Sequence, residues 1–386
     1  MADDLLWAEI DLKAIAHNIR ELRRIVNPNS RLMAVVKANG YGHGSVEVAR
    51  CALNNGAEVL GVARIDEAMI LRNEGIYAPI LIFGYTPPPF YKEILKFDLT
   101  QTVYSLQTAE SLSAFAVSNN KRIKVHIKID TGMGRLGILP DCLRDYRENG
   151  IRAGLALREV ESIVRLTGLE PEGIFTHFSM ADSSDKSFSR RQFEIFMEFI
   201  NSLMGKGIEF GVKHAANSAG IIDMPETHLD MVRAGLAMYG LYPSEETMND
   251  KVALLPAMSL KSVIIHLKNV SSGFKVSYGA TYETKKPTTI ATVPVGYADG
   301  YSRLLSSQGY MLVCGQRAPI AGRVCMDLTM LDVGNIGGVK QGDEVVIFGK
   351  QGCSAVSVDE VASISGTINN EVVSSLTERV KRVYLK

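Results

Sequence analysis

From the start of the chain to about Tyr239, short runs of aliphatic and β-branched residues alternate with helical patterns. The runs are Leu32–Val36, Val59–Val62, Ile80–Phe83, Leu99–Val103, Lys124–Ile129, Gly173–Thr176, Gly211–Lys213 and Asp230–Arg233. One intervening pattern covers Ser189–Met204, where Phe193, Phe196, Ile200 and Leu203 form a stripe that stops at Gly205. Another follows Asp11, an N-cap residue type, with Leu12, Ile15, Ile19, Leu22 and Val26 three or four residues apart. Strands that alternate with helices make βαβ units with parallel strands. Eight such units close on themselves. The expected class is α/β, with a (β/α)8 TIM-type barrel as the first part.

Near Tyr242-Pro243 the pattern changes to strands broken by turn residues: Met258–Leu267, Thr289–Val293, Tyr310–Val313, Arg323–Leu331 and Glu344–Phe348. Helical patches follow at Val358–Ile364 and Asn369–Leu376, and turn signals stand at Ser272-Gly273, Gly337-Gly338 and Gly342-Asp343. This predicts a second, mainly β C-terminal domain. The expected division is a barrel over 9–242 and the β domain over 243–386, with residues 1–8 packing with the latter. The connection between Asp141 and Glu170 is long and reads as an extra helical excursion.

The 386 residues carry 42 basic and 42 acidic side chains, so the chain has no general attraction for phosphate backbones or anionic lipid. Neither nucleic acid nor membrane is an expected partner. Apolar runs such as Pro79–Phe83 fall far short of the roughly 18 residues a membrane span needs. The acidic start, Asp3-Asp4, is unlike a secretory signal. Five scattered cysteines without a Cys-x-x-Cys pair suit free thiols in a reducing compartment, not a disulfide framework or metal site. A cytoplasmic location is expected.

A barrel keeps its chemistry at the C-terminal ends of its strands. In this reading those ends carry Lys37, Lys128 and Asp130, His177, Asn217 and Ser218, then Arg233 and Gly235. A lysine in an apolar wall has its charged form disfavoured, which provides the neutral amine that an aldehyde needs for a Schiff base. Alone, Lys37 would more often be a lysine snorkelling from a strand end. The run Asn39-Gly40-Tyr41-Gly42-His43-Gly44 shifts the balance, because glycines let main chain approach a ligand. Asn217-Ser218 and Gly235-Leu236 follow the last two strands, where many barrels bind phosphate. Together with Lys37 they describe a site for pyridoxal 5′-phosphate.

Several of these stretches also resemble the alanine racemase family. They are Ala34 to Gly44, Trp7 to Asp11, Asp130-Thr131-Gly132-Met133-Gly134-Arg135-Leu136-Gly137, Thr176-His177-Phe178, Asn217-Ser218, Arg233-Ala234-Gly235, Val276-Ser277-Tyr278-Gly279, Gly296 to Tyr301 and Cys325-Met326-Asp327. The match runs nearly end to end. The resemblance implies a pyridoxal-phosphate enzyme that interconverts L- and D-alanine and supplies D-alanine for peptidoglycan. It also implies a head-to-tail homodimer whose sites combine one barrel with the partner's second domain.

By the same resemblance Lys37 is the Schiff-base lysine and one of two catalytic bases, and Tyr278 from the partner is the other. Two bases on opposite sides suit a proton that leaves one face of Cα and arrives on the other. His177 links Tyr278 to Arg233, and Arg233 faces the cofactor's ring nitrogen. Arginine offers only donors, so that nitrogen stays an acceptor, which disfavours decarboxylase-like chemistry. Tyr41, Asn217, Ser218, Gly235, Leu236 and Tyr384 are implied cofactor contacts. Arg135 meets the substrate carboxylate, and Lys128 matches a lysine carried as a carbamate. Tyr297 and Met326 line a substrate pocket with room for little beyond a methyl group, so some turnover of serine is expected. His126 and His266 read as satisfied core groups.

Two departures stand out: Gly40 where relatives often have Ala, and Lys381 where they often place Pro, near Tyr384. A racemase for serine or another small amino acid is the second reading, and a non-catalytic pyridoxal-phosphate-binding protein on the same barrel is the third. Carriers of the latter kind resemble the barrel alone, so the domain that bears Tyr278 and Met326 argues against it.

Overall fold

The computed structural model describes residues 4–143, 154–247 and 250–386 and divides into two compact units. The first unit to be described spans Ala14–Gly40 and Ser45–Leu255; the other comprises Met1–Lys13, Tyr41–Gly44 and Pro256–Lys386. Strand β1 (Leu6–Asp11) belongs to the latter. The former contains β2 (Arg31–Val35), β3 (Val59–Val62), β4 (Ile80–Ile82), β5 (Thr100–Val103), β6 (Ile123–Lys128), β7 (Leu169–Phe175), β8 (Val212–His214) and β9 (Met231–Ala234).

These eight form one parallel sheet in the order β8-β7-β6-β5-β4-β3-β2-β9. The sheet nearly closes, because the Asp230 N–H donates to Lys213 O and the Arg233 N–H to Ala216 O, both at 3.1 Å. Each strand matches a run read from the sequence within a few residues. Barrel strands are covered on both faces, which is why β3 and β4 read as unbroken apolar runs and β2 nearly so. Leu32, Met33, Leu60, Ile82, Ile127 and Ile174 are fully buried.

Helices cover the sheet. Leu12–Ile25 buries Ala14, Ile15, Asn18, Ile19 and Leu22, and Asp11 Oδ1 accepts the Lys13 N–H at 2.8 Å as the cap. Ser187–Met204 buries Ile195, Phe196, Phe199, Ile200 and Leu203. Of the long connection, Leu155–Val164 is a helix, while residues 144–153 lie outside the described residues.

The second unit is mainly β. Its largest sheet runs Gln316–Pro319, Tyr310–Val313, Glu344–Gln351, Met258–Val263, β1, Lys381–Leu385, with Ser354–Val356 paired to Glu344–Gln351. Strand β1 is antiparallel to Met258–Val263 and parallel to Lys381–Leu385, which brings both ends of the chain into one sheet. A three-stranded sheet joins His266–Val270, Thr288–Val293 and Thr329–Asp332.

Three expectations need correction here. Met258–Leu267 is two strands in different sheets, with the break at the apolar pair Ile264-Ile265, where no turn residue announces it. In the stretch Arg323–Leu331, only the part from Thr329 onward is strand. His266 is exposed, because its strand is the edge of the three-stranded sheet. His126 is buried, as expected.

Candidate active site

The C-terminal ends of the barrel strands gather the predicted polar residues at one mouth. Lys37 follows β2, Lys128 ends β6, Arg135 lies in the next loop, His177 follows β7, Asn217 and Ser218 follow β8, and Arg233 lies in β9 ahead of Gly235 and Leu236. Strands β2 and β9 are neighbours, with Met33 opposite Arg233.

Arg233 is buried and held by four acceptors through its two terminal nitrogens. It donates to Thr176 O at 2.9 Å, Ala215 O at 2.7 Å, His214 Nδ1 at 2.8 Å and His177 Nδ1 at 3.2 Å. His214 Nε2 in turn lies 2.9 Å from His126 Nδ1. A guanidinium can only donate, so both histidines that face it must accept at Nδ1 and carry their protons at Nε2. His214 then donates to His126, and His177 keeps an Nε2–H to offer outward. The electrostatics agree. Burial, then the Arg233 charge, hold His177 and His214 well below the usual imidazole range, and burial pushes His126 down to about 3. Burial lowers Arg233 to about 9, with Arg135 adding to the effect, so it stays protonated at neutral pH.

Phe175 wedges this array in place. Its ring stacks on His214 at 4.6 Å, with Lys128 Nζ 4.9 Å and Arg233 Cζ 5.5 Å from its centroid. Gly173 makes room on the same strand, since a Cβ there would lie 2.6 Å from the His126 ring. Burial, with Arg233 and Arg135, pushes Lys128 down to about 7 against the opposing charge of Asp130.

Asp130 organises the loop that carries Arg135. Its Oδ1 accepts the N–H groups of Gly132, Met133 and Gly134 at 3.0, 2.8 and 3.0 Å, and Oδ2 accepts that of Arg135 at 3.1 Å. Gln192, fully buried on the helix Ser187–Met204, does the same for the loop after β7: Oε1 accepts the Ser179 N–H at 3.1 Å, and Nε2 donates to His177 O at 3.3 Å.

Lys37 is half-buried, and burial followed by the Arg135 charge lowers its amine below the usual lysine range. Ser218 Oγ accepts from the Gly235 and Ala237 N–H groups at 3.0 and 3.2 Å, which leaves its own proton as an outward donor. Asn217 Oδ1 is used locally: it accepts the Gly220 N–H at 3.0 Å and caps the following helix.

The other candidates belong to the second unit. Tyr384 lies against the loop that follows Tyr41, because Arg382 Nε donates to Gly42 O at 2.9 Å and because Gly44 has no side chain: a Cβ there would lie 1.8 Å from Tyr384 Oη. Tyr278 and Met326 line one surface depression with Ser277 and Cys325. Tyr297 is held beside it by its N–H to Cys325 O at 3.1 Å and the Ala298 N–H to Met326 O at 3.0 Å.

Residues 10–243 match the model of the alanine racemase N-terminal domain, and residues 257–384 that of the C-terminal domain. The chain belongs to the alanine racemase family. It is 54% identical to an alanine racemase of Desulfosudis oleivorans over 384 residues, covering 100% of this chain and 97% of that one. It is 49% identical to one of Methanococcus maripaludis over 385 residues, with 100% of both chains covered. Among solved structures, the alanine racemase of Bacillus anthracis with bound L-Ala-P superimposes with a TM-score of 0.92 at 36% identity, covering 100% of this chain and 96% of that one. The alanine racemase of Clostridium difficile gives 0.91 at 37%, with 100% and 97% covered.

For a member of this family, the sequence reading missed two supporting residues, His214 and Gln192. His214 ends β8 three residues before Asn217, so its place at a strand end was the available signal. Gln192 sits on a helix stripe otherwise read as apolar and gives no such signal. Among the described residues, no cluster of three His, Cys, Asp or Glu side chains could hold a metal ion, and no helix is long and apolar enough to cross a membrane.

Proposed function

We propose that the chain is an alanine racemase that interconverts L- and D-alanine with pyridoxal 5′-phosphate attached through Lys37, in the cytoplasm, and so supplies D-alanine for peptidoglycan. The observation that carries this reading is a half-buried lysine just after β2 with its amine lowered, and on the adjacent strand β9 a buried arginine that fixes two neutral histidines and, through His214, a third. The donor set suits the cofactor. Ser218 offers a hydroxyl proton and Gly235 and Leu236 a loop end for the phosphate, with Tyr41 and Tyr384 as further hydroxyls, and Arg233 would face the ring nitrogen as a donor. When bound, the group supplies an electron sink conjugated to the substrate's Cα, which acidifies the Cα–H. The five free cysteines suit a reducing compartment.

Proton movement falls to two residues. Tyr278 takes the Cα proton of L-alanine on one face, and Lys37 delivers one on the other; the reverse direction exchanges the roles. His177 keeps its Nε2–H, and donating it to the Tyr278 oxygen favours the phenolate. Tyr278, Met326 and Tyr297 are 70%, 53% and 43% exposed in a single chain. A cluster of large side chains left in water fits an interface, and we assign it to the barrel mouth of a second copy in a homodimer. Arg135 then meets the substrate carboxylate, while Tyr297 and Met326 bound the space beyond a methyl side chain. Discrimination per added group is modest, so slow serine turnover accompanies alanine turnover. Borohydride reduction of the purified protein, followed by peptide mass spectrometry, should place a reduced pyridoxyl group on Lys37. Unmodified Lys37, or no racemisation of alanine, would reject the reading.

Lys128 is assigned a carbamate. With burial and its cationic neighbours lowering its amine to about 7, the neutral form that adds CO2 is accessible near neutral pH, and the addition forms N–COO⁻ and releases one proton. The anion replaces cation repulsion between Lys128 and Arg135 with a charge-assisted pair. Isotope-labelled bicarbonate should give a carbamate carbon resonance that Lys128→Ala abolishes. An unlabelled wild-type protein would show that Lys128 stays an amine.

A further inference from the structure

Glu67 is the third residue of the helix Ile65–Asn73, a position from which glutamate commonly reaches back to cap its own N-terminus. One of its oxygens does so: Oε2 accepts the Ala63 and Arg64 N–H groups at 2.7 and 3.1 Å. The other leaves its own element. Oε1 accepts the N–H of Ala38 at 2.6 Å, on the loop after the neighbouring strand β2 and directly next to Lys37. A helix cap has no need of that bond.

The loop it holds is strained. Ala38, Asn39, Gly40 and Tyr41 have φ of 52°, 52°, 61° and 51°, a left-handed turn that crowds the Cβ of each non-glycine residue against the following carbonyl oxygen. Such a turn persists only where its surroundings over-determine it. Here Asn39 Oδ1 accepts the Ser45 N–H at 3.0 Å, the Gly40 N–H reaches Val36 O at 2.9 Å, and Glu67 secures the first residue. Charge adds a second element. Arg135 faces Lys37 from the loop after β6 and His177 from the loop after β7, and Glu67 is the carboxylate that opposes the guanidinium there.

We infer that Glu67 is a positioning residue for Lys37: its carboxylate fastens the left-handed turn that presents the lysine to the mouth of the next strand, and balances the Arg135 charge beside it. This rests on the reading of Lys37 as the cofactor's attachment point.

The test uses the full chain as wild type, Glu67→Gln and Glu67→Asp, with pyridoxal 5′-phosphate as the probe. In the cofactor-free protein, amide exchange at Ala38 should accelerate about tenfold or more in both variants, because neither reaches both loops as a carboxylate of full length. Cofactor capture, read as imine absorbance against pH and trapped with borohydride, should move its midpoint about half a pH unit toward acid in Glu67→Gln, since removing the negative charge favours the neutral amine. Glu67→Asp keeps the charge and should keep the wild-type midpoint. Wild-type exchange at Ala38 and an unmoved midpoint in Glu67→Gln, with only a lower Tm, would reduce Glu67 to a helix cap and overturn the inference. Failure of the wild type to trap the cofactor on Lys37 would instead overturn the function, while Ala38 exchange would still decide whether the carboxylate holds the turn.

Discussion

Tyr278→Phe is expected to slow Cα–H exchange from L-alanine about a thousandfold, or roughly 4 kcal/mol of barrier, while exchange from D-alanine stays within about tenfold of wild type. The asymmetry follows from geometry. A single base that served both faces would have to cross the substrate plane between steps, so its removal would slow both directions equally. With opposed bases, each enantiomer presents its Cα–H to a different residue, and loss of the phenol oxygen silences one side only. Phenylalanine keeps the ring. The position is 70% exposed in a single chain, so the substitution leaves the packing of its unit intact. Incorporation of solvent deuterium, followed by proton NMR at low conversion for each enantiomer, measures the two rates. Equal loss from both would reject the division of labour between Lys37 and Tyr278.

How far the sequence exposed this site depends on how each residue acts. The barrel was legible because short strand-length runs, several of them apolar on both faces, recur between helical patterns, and its chemistry sits where those runs stop. Lys37, Lys128 and Arg233 stand out as charges at the ends of aliphatic stretches. Residues that work through main-chain groups leave no such mark. Asp130 reads as one more strand-end acid, yet it gathers four loop N–H groups; Glu67 reads as a surface residue of a helix, yet it spans two loops. His214 and His126 are joined by a bond between strands β8 and β6, which are not even neighbours in the sheet. In the second unit the boundaries were harder to read, because Ile264-Ile265 ends one strand and precedes another without any breaker. The final strand, Lys381–Leu385, opens with two adjacent charges and spans only five positions at a sheet edge. Short edge strands of this kind carry little hydrophobic signal.

The largest effect is expected from combining two inactive chains. Lys37→Ala removes the attachment amine and one base, and Tyr278→Phe removes the other, so each pure protein should retain about a thousandth of wild-type racemisation or less. Each variant nevertheless keeps what the other lacks. If a site draws Lys37 from one protomer and Tyr278 from its partner, a mixed dimer contains one site with both native residues and one with neither. Random pairing of equal amounts makes about half of the dimers mixed, so about a quarter of all sites should be intact. Co-expression with two different affinity tags, followed by sequential capture, would isolate the mixed dimers, and their activity should approach half that of wild type. This is a rise of more than a hundredfold over either parent. A site built within one chain cannot recover by mixing at any ratio. Mixed dimers as inactive as their parents would therefore refute the shared site, while leaving the attachment of the cofactor to Lys37 to be judged separately by borohydride trapping.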